Sequence, residues 1–136
     1  MELEYKVEGG DFTQAGYASS QVKKVLKQLG INPIVIKRVV VALYEAEVNI
    51  VAHAYRGSII VNLEDHKISI KLIDEGPGIE DIEKAMEQGY STASQKVREM
   101  GFGAGMGFSN MKANTDSLIV NSSPGIGTTV EIINHF

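Results

Sequence analysis

Glu45, Asn49 and His53 recur at i, i+4 and i+8, a spacing that stacks them along one stripe of a helix. An asparagine amide oxygen suits a hard cation such as Mg²⁺, and a carboxylate one turn earlier can take a proton from an attacking hydroxyl or water. The same spacing also describes the polar edge of an ordinary helix. In the stretch 67–74, Ile68, Ile70, Leu72 and Asp74 share one face, because side chains alternate along a strand. Asp74 therefore follows three apolar residues inward, where a carboxylate is costly unless donors meet it. It either caps the following Gly76-Pro77-Gly78 turn or serves a ligand. Thr128, on the face of Val130 and Ile132 in the last strand, could join Asp74 in reading the polar edge of a flat heterocycle. Threonine is equally at home in any strand.

A further signal is Gly101-Phe102-Gly103-Ala104-Gly105-Met106-Gly107, with glycine at every second position ahead of a predicted helix. Glycines let backbone N–H groups approach an anion, and a helix N-terminus adds a favourable dipole. A triphosphate tail fits such a segment. It is neither a P-loop nor a dinucleotide fingerprint, and a plain hinge is the rival reading.

The elements that must hold these residues follow from pattern. Residues 3–7 read as a strand, and Asp11 as the cap of a helix over 12–29 ended by Gly30. Asn32-Pro33 starts a long helix over 33–55. That helix is apolar nearly all round, with Val41, Tyr44, Val48 and Val51 opposite Ile36, Val39 and Leu43, so periodicity does not fix its buried face. Glu47 lies inside an apolar arc, and no local pattern accounts for it.

Period-two runs at Ile59, Val61, Leu63 and at Ile68, Ile70, Leu72 predict a hairpin around Glu64-Asp65-His66-Lys67. A short acidic helix over 80–88, a polar glycine-punctuated stretch, a helix over 106–114 and strands over 118–121 and 128–133, joined by a Ser123-Pro124-Gly125 turn, complete the pattern. The order predicts one α+β domain, a two-layer sandwich of a mixed, mostly antiparallel sheet with helices on one face.

Composition narrows the function classes. The chain has 136 residues, 43% apolar and 22% charged, which suits one soluble domain. There is no run of about 20 apolar residues of the kind that spans a bilayer, and Met1-Glu2-Leu3-Glu4-Tyr5-Lys6 does not read as a leader. The absence of cysteine excludes disulfides and thiolate chemistry, and the cytoplasm is the expected compartment. A net charge of -4, with lysines and arginines mostly separated by acids or apolar residues, predicts a mixed-charge surface without a basic stripe and argues against nucleic-acid binding.

Taken together, the motifs resemble those of the GHKL ATP-binding superfamily, whose name joins gyrase, a heat-shock chaperone, histidine kinases and a mismatch-repair protein. Glu45-Ala46-Glu47-Val48-Asn49-Ile50-Val51-Ala52-His53-Ala54-Tyr55 is similar to the asparagine box, and Asp74-Glu75-Gly76-Pro77-Gly78-Ile79 to the first glycine box. The alternating glycines ending at Gly107 resemble the second glycine box, and Gly127-Thr128 the terminal Gly-Thr. Tyr90-Ser91-Thr92 and the short chain are most similar to anti-sigma-factor serine kinases.

The resemblance implies a Bergerat-type fold, ATP and Mg²⁺. It implies Glu45 as catalytic base, Asn49 as Mg²⁺ ligand, Asp74 as acceptor for the adenine amino group, Gly78 as a close backbone contact and Thr128 as a second adenine contact. His53, Gly76, Gly103, Ala104, Gly105, Met106 and Gly107 would also line the nucleotide, and residues 89–105 would form a lid. Lys96 and Arg98 in that lid have no assigned phosphate contact, and His53 sits in the asparagine box and not in a phosphoacceptor motif, so a complete sensor histidine kinase is not expected. The implied activity is phosphorylation of a small protein antagonist, with a sigma factor or similar regulator as a second partner, no membrane partner, and room for a homodimer. A nucleotide-gated binding module without phosphotransfer and a stand-alone histidine-kinase-like ATPase are the alternatives.

Overall fold

The computed structural model describes residues 1–78 and 107–136. The predicted helix over 80–88, the lid, and Gly103, Ala104, Gly105 and Met106 lie outside the described residues.

Strand β1, Glu2–Glu8, is followed by a short 3-10 turn, Phe12–Gln14, and helix α1, Tyr17–Gln28. The single helix expected over 12–29 is thus broken. Ala15 is extended and Gly16 takes a left-handed φ of 91° as the N-cap, a conformation that interrupts helical bonding and suits glycine. Asp11 does not cap α1; its Oδ1 accepts the Thr13 hydroxyl at 2.6 Å. At the other end the expectation holds. Gly30 turns left-handed at φ 71°, Gly30 N–H donates to the Lys27 carbonyl and Ile31 N–H to that of Leu26, a Schellman termination.

Helix α2, Pro33–His53, begins where Asn32 Oδ1 accepts the Ile34 N–H at 2.8 Å, with Pro33 in the first turn. It stops two residues before the expected end because Ala54 is extended and Tyr55 bends toward the sheet, its N–H donating to Glu75 and its carbonyl accepting from Gly9. Packing decides what periodicity left open. Ile36, Val39, Leu43, Ala46, Glu47 and Ile50 are buried, while Tyr44 is exposed and Glu45 and Asn49 are half-buried.

Strands β2, Arg56–Leu63, and β3, Lys67–Glu75, form the expected hairpin, closed by Glu64 N–H donating to the Lys67 carbonyl. Helix α3, Gly107–Ala113, and strands β4, Ser117–Ser123, and β5, Gly127–His135, follow. The order in the sheet is β1-β2-β3-β5-β4, and all four pairings are antiparallel, so the described sheet is not mixed. Ile59, Val61, Ile68, Ile70, Leu72, Val130 and Ile132 form the inner face beneath the helices. This is the two-layer α+β sandwich that the pattern predicted.

Glu47 acquires an explanation here. Glu47 is only 2% exposed. It accepts the Ala18 N–H at 3.0 Å, the Ser19 N–H at 3.1 Å and the Ser19 hydroxyl at 2.9 Å. A side chain of α2 therefore caps the first turn of α1, supplying the acceptors that Gly16 lacks and placing a negative charge at the positive end of the helix.

Candidate nucleotide-binding site

The site is built around the C-terminal half of α2. Ala54, just past the helix, lies against Gly76: a Cβ added to Gly76 would stand 2.9 Å from Ala54 Cα. Further back, a Cβ added to Gly107 would stand 3.6 Å from Glu45 Oε2. The helix therefore links the turn after β3 to the start of α3 over about 14 Å at 1.5 Å per residue. Asn49 lies between these ends, one turn beyond Glu45.

At the sheet end, Asp74 and Thr128 come together as strand alternation suggested. Asp74 Oδ1 accepts the Thr128 N–H at 3.0 Å, so the carboxylate binds across to β5 and does not cap its own turn. Asp74 Oδ2 takes no hydrogen bond from a described residue. No fully buried side-chain oxygen or nitrogen among the described residues lacks a partner, and Asp74 itself is half-buried. Burial pushes the Asp74 carboxyl above its ordinary pKa of 3.8, with the Thr128 N–H pulling the other way. An acid raised in the folded state stabilises the fold below its unfolded pKa and loses that contribution as pH rises through the folded value. Ionisation of Asp74 is thus a cost to the domain without ligand, borne at a place where a ligand donor can compensate it.

Thr128 is buried, and its hydroxyl lies 2.9 Å from that of Ser122. Ser122 escaped the sequence reading, although its position inward of Leu118 and Val120 on β4, in register with Thr128, carries the signal. Glycine is required nearby for two reasons. A Cβ on Gly127 would collide with the backbone carbonyl of Asp74, and Gly78 combines φ 75° with an approach that would set its Cβ 2.5 Å from the Ser123 carbonyl oxygen. Gly76 N–H donates to Ile126 and Gly125 N–H to Pro77, fastening the turn after β3 to the β4–β5 turn.

At the α3 end, Asn110 Nδ2 donates to Glu45 Oε1 at 3.2 Å, leaving Oε2 on the Gly107 side. Asn110 was also missed; its position three residues into α3 identifies it only once α3 is known to abut Glu45. The Asn49 side chain makes no hydrogen bond to another described residue. His53, the last residue of α2, is half-buried, and burial lowers its imidazole below the ordinary pKa of 6.5. The geometry brings Asp74, Gly76, Gly78 and Thr128 together at one end and Glu45 and Gly107 at the other.

These residues suit a purine nucleotide: a half-buried carboxylate acceptor, glycines that admit close approach, and a half-buried amide along the helix whose side chain bonds to no other described residue. Among the described residues no three His, Asp or Glu side chains cluster as a metal site, so a Mg²⁺ ion held through Asn49 would draw its remaining ligands from phosphate and water. A separate open depression of about 480 Å³ lies between Glu64, Asp65, His66, Lys67 and His135, at the far end of β3, and holds none of the motif residues.

Fold and site define an ATP-binding domain of the GHKL class. Residues 11–133 match the Histidine kinase-like ATPase domain family, and the chain belongs to it; ATP binding is what membership implies. Similar proteins include an anti-sigma F factor of Caldanaerobacter subterraneus subsp. tengcongensis, 44% identical over 96 residues, covering 67% of this chain and 64% of that protein. The chain thus spans just under two thirds of that relative. An anti-sigma F factor of Clostridium acetobutylicum is 34% identical over a 139-residue alignment covering 96% of this chain and 89% of that protein. The crystal structure of the RsbU and RsbW domains of Rv1364c from Mycobacterium tuberculosis superposes with a TM-score of 0.67 at 16% identity, over 98% of this chain and 32% of that one. This supports the fold alone. No helix among the described residues is long and apolar enough to cross a membrane.

Proposed function

We propose that this chain is an ATP-dependent protein serine/threonine kinase of the anti-sigma type, which phosphorylates a small regulatory protein and thereby switches which partner it holds. One observation carries the reading: the Glu45 carboxylate stands beside Gly107 midway along α2, one helical turn from Asn49, while the turn that follows Asp74 packs through Gly76 against Ala54 just past the end of the helix. Base recognition and phosphate chemistry are thus separated along one rigid element. The similarity to anti-sigma F factors supports the regulatory side of the proposal.

In this scheme Asp74 and Thr128 orient the adenine, and Gly107 with the start of α3 faces the phosphates. The Asn49 amide would hold Mg²⁺, which supplies charge neutralisation. Asn110 fixes one oxygen of Glu45, and the other takes the proton of the substrate hydroxyl. The serine oxygen forms its bond to the terminal phosphorus as the bond to ADP breaks, and ADP leaves. The protein acts by positioning and by accepting that proton.

A second reading, a nucleotide-gated binder without phosphotransfer, is favoured by the same Asn110 to Glu45 hydrogen bond, which can serve simply as a strut between α2 and α3. The test supplies terminally radiolabelled ATP, Mg²⁺ and the cognate protein partner. Label on a serine or threonine of the partner is expected. Tight capture of a serine-containing partner with no label would replace the kinase by the binder.

A further inference from the structure

The charges of this protein are not evenly mixed. Between Asp11 and Glu45 the chain contains no acidic residue, although its net charge is -4. Lys23, Lys24, Lys27 and Lys37 all fall in this segment and are exposed on α1 and the start of α2. None pairs with a described acid, whereas Lys6, Arg56 and Lys67 each stand beside a glutamate and Arg38 is held by Asp116. Four unpaired lysines on one helical hairpin make a local positive field on an otherwise acidic molecule. The sequence reading of a mixed-charge surface without a basic stripe passed over this segregation.

Two large aliphatic side chains sit within the same surface. Leu29 is 50% exposed where α1 ends, and Ile34 is 72% exposed in the first turn of α2. The turn between them is fixed by the Gly30 termination and the Asn32 cap, so the surface is formed before any partner arrives and little ordering opposes binding. Aliphatic anchors bordered by charges of one sign are the anatomy of a protein-docking patch.

We propose that the α1–α2 turn is a docking surface for an acidic, amphipathic segment of a protein partner, with aliphatic side chains of the segment on Leu29 and Ile34 and its carboxylates on the four lysines. The partner's chemistry follows from charge complementarity. Nucleic acid would match the lysines but leave the aliphatic pair uncovered, and residues 23–37 include none of the aromatic residues that stack bases or anchor in a bilayer interface. The proposal rests on the reading that this domain acts through a protein partner, but it does not need phosphotransfer.

The probe is a random-peptide display library selected on the wild-type chain, with counter-selection on the variant Lys23→Glu/Lys27→Glu/Lys37→Glu. Selected peptides are synthesised and titrated by fluorescence anisotropy at rising salt, and a second variant, Leu29→Ala/Ile34→Ala, tests the apolar half. Enriched peptides should combine several acids with leucine-like residues. Their affinity should fall by about tenfold or more in either variant and weaken with salt, since exposed charges govern rate and register across such contacts. ATP affinity should remain unchanged in both variants, because no substituted residue belongs to the nucleotide site; this separates failure of the docking proposal from failure of the kinase reading. The proposal is overturned if no peptide discriminates wild type from the charge-reversed chain, or if the enriched peptides lack acids. Tighter binding to a short DNA duplex or to phosphatidylserine vesicles, lost in the same variants, would overturn it as well.

Discussion

Glu45→Ala should bind ATP nearly as well as wild type and transfer its phosphate about 10²–10⁴-fold more slowly, the usual contribution of a positioned general base. Asn49→Ala should behave differently: nucleotide affinity should become insensitive to Mg²⁺, because the amide is the protein's candidate ligand for the ion. The contrast is sharp because the residues are one turn apart on a helix whose buried side neither of them forms. Glu45 does take part in one structural contact, the hydrogen bond from Asn110. Glu45→Gln separates the two roles, since its amide oxygen can still accept from Asn110 but cannot take a proton. Equilibrium titration and label incorporation, compared at matched folding, decide the matter. Loss of transfer in the alanine variant with full activity in the glutamine variant would show that Glu45 acts only as a strut.

The second large effect concerns stability. Glu47→Ala removes the acceptor of two backbone N–H groups and one hydroxyl at the buried start of α1. With each unsatisfied buried group costing about 1–3 kcal/mol, the expected loss is about 3–5 kcal/mol after partial relaxation. That is a large share of the roughly 5–15 kcal/mol that holds a domain folded. Glu47→Gln should lose less, because its amide oxygen keeps part of the cap while its NH₂ confronts the remaining donor. Urea midpoints at constant slope measure both variants. A loss below about 1 kcal/mol for the alanine variant would mean that water replaces the carboxylate and that Glu47 is not the cap of α1.

Much of this architecture can be read locally. Strand alternation places Asp74 and Thr128 on the core face, and Asn32-Pro33 and Gly30 mark helix ends through their own backbone requirements. What escaped depends on contacts between residues far apart in the chain. Glu47 caps a helix that lies nearly thirty positions away, so it reads as a misplaced charge until α1 and α2 are packed. The break at Ala15-Gly16 is legible only in retrospect, because an apolar pattern can continue through a glycine that the backbone uses to end one turn and cap the next. The circumferential apolarity of α2 reflects its three neighbours, α1, α3 and the sheet, and no single period describes a helix covered on several sides. Ser122 and Asn110 likewise needed the β4–β5 register and the α2–α3 contact before their places beside Thr128 and Glu45 could be seen.

Everything proposed for this site begins with Asp74 as the reader of an adenine amino group, and isothermal titration of wild type and Asp74→Asn with ATP and GTP, in the presence of Mg²⁺, tests that claim most directly. Wild type should bind ATP and discriminate against GTP, which presents a carbonyl where adenine presents an amino donor. Asp74→Asn should bind ATP about tenfold or more weakly, since the amide keeps the Thr128 hydrogen bond but loses a charge-assisted acceptor. Its empty domain should melt no lower than wild type, because the substitution removes a carboxylate that burial disfavours at neutral pH. Equal affinity of wild type for ATP and GTP, or an Asp74→Asn chain that binds ATP as well as wild type does, would contradict the account.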